Sequence, residues 1–309
     1  MVHLIHIAVL DVDIPARKLY EARGLLSAHF RTILCETATH LNETLLPEKE
    51  QLEVKITPFD IRGGHYPDLY TLRGHEDKDH IPVRYPVDAV LITGGTPGVG
   101  EMDQSPWMQV LEKFIKTVYN QYPEVRILGT CFGHQLISHA LVRNVDDPVH
   151  DVWVEKCPFG REVGLTTVQL EHAFVKLFPG ALGALPKERL RIQMFHGDRV
   201  MAVAKGTVVT LAESPPVSLP APWINIGSTP ICPIQGLYHP GRVLSVQGHY
   251  EMDPFGLTNM CLESAPILGW DESKLALFLE QIGDARKGTD DDSKAFASAV
   301  VSFLAGFEN

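Results

Sequence analysis

Nowhere along the 309 residues does an apolar run reach the length of a membrane span. Lys and Arg form no cluster either. With a formal net charge of -11 and no concentrated basic face to meet phosphates, nucleic acid is a poor partner class. Cysteine is sparse: Cys35, Cys131, Cys157, Cys232 and Cys261 are widely spaced, odd in number and contain no CxxC pair. That pattern speaks against a disulfide framework or a zinc site and for free thiols in a reducing compartment. The first ten residues, Met1 to Leu10, are apolar but lack a basic n-region and a small-residue cleavage site, and they run straight into Asp11 and Asp13. They read as a first strand rather than a signal peptide. Together these absences point to a cytoplasmic globular protein without a membrane or nucleic-acid partner. Repeats and separating linkers are missing as well.

What is present alternates strands with helices. After the first strand, Asp13 and Pro15 suggest a helix start, and Leu19, Leu25, Leu26, Phe30, Ile33 and Leu34 continue at helical spacing. Leu52–Phe59 alternates as a strand. Arg62 to Tyr85 is rich in Gly, Pro, His and charge, without apolar periodicity, and reads as a long loop insertion. Val87–Thr93 is a strand buried on both faces, followed by Gly94-Gly95. Ser105-Pro106 opens a helix with a serine cap and proline at the first position. This alternation predicts an α/β fold: one domain with a central, mostly parallel sheet and helices on both faces. Past residue 150 extra β segments are expected at Glu162–Leu170, Leu190–Phe195, Thr207–Leu211, Pro233–Tyr238 and Val243–Gln247. A proline-rich surface segment lies between Ser214 and Pro230. From Phe255 helical spacing returns, and the acidic run Asp290–Asp292 reads as a solvated helix start.

Four stretches are candidates for chemistry. Val125 to Leu141 is an apolar run, a glycine-bracketed cysteine and a helical segment, which reads as a strand turning sharply into a helix with Cys131 at the turn. Gly129 and Gly133 are needed there because strand and helix crowd each other. The helix N-terminus favours a nucleophilic thiolate. On this segment alone, a buried core cysteine fits as well as a nucleophile. In Ser245–Glu251, His249 and Glu251 are two apart at a strand end, so both side chains point to one face, where the carboxylate orients one imidazole nitrogen and leaves the other for a thiol. Gly94-Gly95, at the end of a buried strand, lets a backbone N–H approach a reacting carbonyl and, with the N–H of Phe132, forms a two-donor oxyanion hole. Phe195-His-Gly-Asp-Arg199 also follows a strand. His196 and Asp198 without a third partner are a poor metal signal, and no metal or cofactor is expected.

Taken together, Gly129-Thr-Cys-Phe-Gly-His-Gln135, His196-Gly-Asp198 and Gln247-Gly-His-Tyr-Glu251, preceded by the Gly-Gly loop, resemble the class I (triad) glutamine amidotransferases. The likeness is to the stand-alone branch similar to the amidotransferase domain of GMP synthase and to plant γ-glutamyl peptidases, and it covers roughly residues 1–255. It implies a flavodoxin-like fold, a catalytic triad of Cys131, His249 and Glu251, and an oxyanion hole at Gly95 and Phe132. It also implies that Gln135 and the residues around Gly197, including Phe195 and Asp198, hold the glutamine part of the substrate. Two departures stand out. Tyr250 replaces the proline usual between His and Glu, so a fixed φ is lost. Phe195 replaces the Ser or Asn usual before His-Gly-Asp, which favours a bulkier γ-glutamyl compound over free glutamine.

The expected organisation is an amidotransferase-like domain over residues 1–255, with the 62–85 loop inserted, and a C-terminal helical extension over 256–309 packed on it. No synthetase region is seen after the amidotransferase part, so released ammonia would need a separate synthetase partner. Three readings follow: a γ-glutamyl peptidase, a glutaminase subunit of a two-chain synthetase, and an inactive binding or regulatory homologue. The first two share a small-molecule γ-glutamyl substrate and a thioester on Cys131.

Overall fold

The computed structural model describes residues 2–44, 51–76, 83–210, 215–283 and 291–308. Strand β1 (Val2–Asp11) lies parallel between β2 (Gln51–Asp60) and β3 (Ala89–Ile92), with Ile7 opposite Ile56 on one side and Ala89 on the other. Its side chains divide by the twofold period of a strand. Ile5, Ile7 and Val9 enter one apolar core, and Ala8 and Leu10 enter the other. β3 pairs parallel with β4 (Arg126–Thr130).

The chain then leaves this sheet. β5 (His150–Lys156), β6 (Glu162–Leu170), β7 (Arg189–His196) and β8 (Asp198–Ala204) form two antiparallel pairs, β5 with β8 and β6 with β7. β9 (Ile224–Asn225) and β10 (Gly227–Ser228) follow, the second pairing with β6. β11 (Gly236–His239) and β12 (Val243–Val246) return, and β12 docks parallel on β4 with Val246 opposite Thr130. The main sheet therefore runs β2-β1-β3-β4-β12-β11-β9, parallel across its first five strands and antiparallel across the last two. The central, mostly parallel sheet expected from the sequence is present.

Helices cover both faces. On one side lie α2 (Leu26–Thr44), through Phe30 and Leu34, and α9 (Ser293–Ala305), through Val300 and Phe303. On the other lie α3 (Pro106–Gln121), through Met108, Leu111 and Ile115, and α4 (Phe132–Ile137), which runs on into a π-helical turn at Ser138–Val142. The helix α1 (Arg17–Arg23) precedes α2. Two short helices, α5 (His172–Leu177) and α6 (Pro179–Leu182), separate β6 from β7. α7 (Pro254–Ile267) and α8 (Glu272–Ile282) follow β12. None of the described helices is long and apolar enough to cross a membrane.

Several local expectations need correcting. The periodicity from Asp13 to Leu34 is two helices, because Gly24 at φ 81° stops α1. Residues 207–210 form no strand, and Leu211 lies outside the described residues. The strand expected from Pro233 begins only at Gly236. Ser105 does precede Pro106 at the start of α3, but its side chain makes no capping bond. β5 and β8 were not anticipated as strands. In the Arg62–Tyr85 stretch the described part holds a short 3-10 turn at Leu69–Thr71 and a bridge from Leu72 to Val87, while residues 77–82 lie outside the description. Asp292 ties to the Arg191 N–H at 2.7 Å rather than being simply solvated, and Asp290 is outside the described residues.

Candidate active site

β4 delivers Cys131 at φ 49° and ψ -106°, a region that non-glycine residues avoid. Among the described residues, only Lys187 and Glu188 are other non-glycines at positive φ. The turn is tight for the reason expected. A Cβ on Gly133 would stand 2.4 Å from the Ile92 carbonyl oxygen, and one on Gly129 would stand 2.6 Å from Ile137 Cδ1 and 2.7 Å from Gly133. Neither glycine leaves room for a side chain. The Cys131 N–H donates to the Val246 carbonyl at 2.9 Å, which fixes the cysteine beside the end of β12. Phe132, as first residue of α4, has no intrahelical acceptor for its own N–H. His134, one turn further, is wholly buried and pairs with Ser245 Oγ at 2.9 Å; burial pushes its pKa down to about 3, so it is a neutral stitch between α4 and β12.

Because β12 lies beside β4, the segment after it emerges next to Cys131. His249 is anchored by its N–H to the Gln193 carbonyl at 2.8 Å, and its Nδ1 lies 2.7 Å from Glu251 Oε1. Both side chains are buried. Burial opposes a charge on this imidazole, but the Glu251 carboxylate and then the Cys131 thiol outweigh it and hold its pKa above the ordinary histidine range. Gly94 leaves room for both ring and thiol. A Cβ there would lie 2.9 Å from His249 Cε1 and 3.5 Å from Cys131 Cβ. The thiol is within side-chain hydrogen-bond reach of the His249 ring and also meets the Phe195 carbonyl, at 3.8 Å.

Tyr250, standing where a proline was expected, is buried between Phe30 of α2 and Phe296 of α9, with ring centroids 5.5 and 5.4 Å away. Packing therefore fixes the turn that a proline ring would have fixed covalently. Arg23 adds a two-pronged pair to Asp253, at 2.8 and 2.9 Å.

The remaining anticipated residues divide into groups. Gln135 is buried, with Nε2 3.2 Å from Gln247 Oε1 and 3.4 Å from the Asp198 carbonyl. Phe195, Gly197 and Asp198 form the turn from β7 to β8 beside Cys131, the Phe195 ring leaning edge-on against Trp270 with centroids 6.1 Å apart. A Cβ on Gly95 would meet Val12 and Asp13, whereas one on Gly94 would meet His249 and Cys131. His196 is no ligand in waiting: Nε2 lies 2.9 Å from Glu162 Oε2, and Nδ1 meets the Asp198 carbonyl at 2.9 Å. Glu162 in turn accepts from Gln235 Nε2 at 2.6 Å. Among the described residues no three His, Cys, Asp or Glu side chains converge as a metal site requires.

Glu162 and Gln235 are the residues beside this site that the sequence did not announce. Gly94 was within a motif already read. Glu162 and Gln235 had no local signal, since only the fold brings them to His196. A surface hollow of about 390 Å³ between α2, α6 and α9, bordered by Glu36, His40 and Lys294, shares no residue with this cluster.

No family model matches the chain. It is similar to a Schizosaccharomyces pombe protein whose name reads glutamine amidotransferase-like, 26% identical over 301 residues that cover 97% of this chain and 98% of that one. A Saccharomyces cerevisiae protein, also named for glutamine amidotransferase, is 31% identical over 150 residues, 48% of this chain and 46% of its own. Among solved structures, a glutamine amidotransferase from Thermotoga maritima superposes with a TM-score of 0.60 at 15% identity, over 98% of this chain and 99% of that one. One from Methylobacillus flagellatus gives 0.54 at 16%, over 100% and 96%. The resemblance to glutamine amidotransferase-like proteins thus extends over the whole chain, and the fold is that of the glutamine amidotransferases.

Proposed function

We propose, from that resemblance and from the geometry around Cys131, that the chain is a class I glutamine amidotransferase-type enzyme that hydrolyses a γ-glutamyl amide bond through a thioester on Cys131. The observation that carries the reading is the line Glu251–His249–Cys131: a buried carboxylate 2.7 Å from one imidazole nitrogen, with the imidazole beside a thiol held on a strained turn. In the first half-reaction the Cys131 sulfur attacks the γ-carbonyl carbon. The resulting oxyanion is held by the N–H of Phe132 and an N–H of the Gly94-Gly95 loop. The C–N bond then breaks as His249, protonated and oriented by Glu251, gives its proton to the departing amine. In the second half-reaction His249 takes a proton from water, the hydroxide attacks the thioester, and glutamate leaves with the thiol restored.

The wall around the nucleophile supports a substrate larger than free glutamine. Phe195 meets the thiol through its backbone carbonyl and packs its ring on Trp270, where a polar side chain was expected from the resemblance. We read the chain as a peptidase-like hydrolase of γ-glutamyl amides in a reducing cytoplasm. Hydrolysis that appears only when a second protein is added marks instead a glutaminase subunit with a synthetase partner.

A glutamine-mimicking electrophile such as 6-diazo-5-oxonorleucine is expected to label Cys131, located by peptide mass spectrometry. Cys131→Ala is expected to lower turnover by about 10³-fold or more. An unlabelled Cys131 in folded protein, with no hydrolysis across a panel of γ-glutamyl amides, sinks the enzyme reading.

A further inference from the structure

Two adjacent glycines give the loop after β3 its room beside Cys131, and with it a backbone that can turn over. A Cβ on Gly94 would stand 2.9 Å from His249 Cε1 and 3.5 Å from Cys131 Cβ, so this loop borders both the base and the thiol. A donor that serves a transition state has to be aimed before the reaction begins. Glycines cannot aim themselves, so the aim has to come from their neighbours.

The segment after β1 supplies it. Thr93 is buried, and its Oγ1 accepts the Val12 N–H at 3.0 Å and donates to the Gly94 carbonyl at 3.1 Å. In a trans peptide the N–H points opposite to the carbonyl, so a held Gly94 carbonyl sets the direction of the Gly95 N–H. One peptide further on, the Thr96 N–H donates to Asp13 Oδ2 at 3.0 Å. The peptide planes on both sides of Gly95 are thus each pinned by a side chain, while among the described residues the Gly95 N–H itself has no acceptor. Asp13 is held in turn: its Oδ1 accepts the Ile14 N–H at 3.0 Å and lies 3.5 Å from Arg62 Nη1. The Arg62 guanidinium lies over the Trp107 ring, 5.1 Å from its centroid, and Trp107 packs on Phe132 with centroids 5.8 Å apart. Phe132 carries the second donor of the proposed oxyanion hole. Arg62, the first residue of the stretch read from the sequence as an insertion, therefore touches the supports of both donor segments.

We infer that Asp13 is a positioning residue: it holds the Gly95–Thr96 peptide so that the Gly95 N–H stays aimed at the oxyanion, with Arg62 bracing Asp13 from outside. This rests on the hydrolase reading proposed above, and Asp13 acts through the loop rather than on the substrate. The test compares a step that develops an oxyanion with one that does not. Hydrolysis of γ-glutamyl-p-nitroanilide passes through a tetrahedral oxyanion, whereas alkylation of Cys131 by iodoacetamide displaces iodide at a saturated carbon and needs only the thiolate. Asp13→Ala is expected to lower kcat about 10- to 100-fold with KM within about threefold, somewhat less than outright loss of an oxyanion donor. Its alkylation rate, followed by peptide mass spectrometry, stays within about twofold of wild type. Asp13→Asn keeps an oxygen for the Thr96 N–H and recovers most of the loss, and Arg62→Ala costs about two- to fivefold, as befits a partly exposed ion pair. Amide hydrogen exchange in the peptide that holds Gly94 to Thr96 is expected to quicken in Asp13→Ala and not in Asp13→Asn. Folded Asp13→Ala that keeps full kcat or unchanged exchange, that loses kcat and alkylation together, or that is no worse than Asp13→Asn overturns the inference and leaves the hydrolase reading intact. Wild-type protein that cleaves no γ-glutamyl amide and is not labelled at Cys131 by the glutamine-mimicking electrophile overturns both.

Discussion

Two buried histidine–carboxylate pairs lie close together in this fold, His249 with Glu251 at 2.7 Å and His196 with Glu162 at 2.9 Å. Their first partners are alike; their second ones are not. The ring of His249 is turned toward Cys131 across the gap left by Gly94, so a protonated ring has a thiol to act on. The Nδ1 of His196 is occupied by the carbonyl of Asp198, and Glu162 is held by Gln235, which in turn reaches Thr229 Oγ1 at 3.0 Å. One pair ends on a thiol and the other ends on backbone. A carboxylate beside a histidine does not by itself mark a catalytic base; what the remaining nitrogen faces decides the role.

The largest expected effect tests that distinction directly. His249→Ala is expected to lower kcat by about 10³- to 10⁶-fold, as loss of a member of a catalytic unit does. His196→Ala, by contrast, is expected to raise KM by loosening the Gly197 turn while kcat stays within about tenfold, since hydrogen bonds rather than chemistry are lost. Steady-state kinetics on one γ-glutamyl anilide separates the two. Equal losses of kcat would erase the difference drawn here.

A smaller effect distinguishes the carboxylates by pH. Glu251 is the main charge that raises the His249 pKa against burial, so the folded protein keeps this ring protonated to a higher pH than a free histidine. Glu251→Gln removes that charge, and the alkaline limb of kcat/KM is expected to move to lower pH by about one unit or more, with kcat down about 10²- to 10⁴-fold. Glu162 behaves oppositely. Burial opposes its charge, but hydrogen bonds from His196, Thr229 and Gln235 and the His196 charge prevail and hold its pKa below the ordinary 4.5. Its stabilisation is therefore present above that ordinary value and is lost as pH falls through the lower folded-state one. Glu162→Gln should lower Tm at neutral pH and flatten the acid dependence of Tm, with the alkaline limb of catalysis unmoved. A shift of that limb in Glu162→Gln would show that the second pair also communicates with the thiol.

The two pairs were unequally legible in the sequence. His249 and Glu251 are two apart at a strand end, so one elementary periodicity placed them on one face, and glycines at 129 and 133 announced the turn at Cys131. The parallel sheet was legible for a similar reason: β1, β3 and β4 are short apolar runs, buried on both sides as such runs demand. His196 was read as a poor metal signal because its partners, Glu162 and Gln235, are 34 and 39 residues away and meet it only through the pairing of β6 with β7 and the return of the chain to β11. Gly94 shows the limit at finer scale. The motif located the loop, but which of the two glycines has no room for a side chain beside the cysteine and histidine depends on backbone geometry that two adjacent glycines leave open.

The smallest effect concerns what keeps the first pair in line. Between His249 and Glu251, a residue with a free φ would let the base and its orienter drift, and the chain has Tyr250 there instead of proline. Its ring is clamped by Phe30 and Phe296, so α2 and the C-terminal α9 both bear on the turn. Aromatic contacts of this kind contribute about 0.5–1.5 kcal/mol each beyond burial, enough to hold a short segment in one conformation. The ring rather than the hydroxyl makes the contacts, so Tyr250→Phe should keep kcat within about twofold, well inside the ~0.6 kcal/mol that RT ln 2.7 represents. Tyr250→Ala removes both contacts and should lower kcat about tenfold with KM little changed, because the geometry of the chemical step is disturbed and the substrate-holding turn is not. Phe296→Ala, made on α9, should reproduce part of that loss. If Tyr250→Ala stays folded and keeps full kcat, the His249–Glu251 alignment is set by the Gln193 carbonyl and the 2.7 Å hydrogen bond alone, and the aromatic clamp serves only the core.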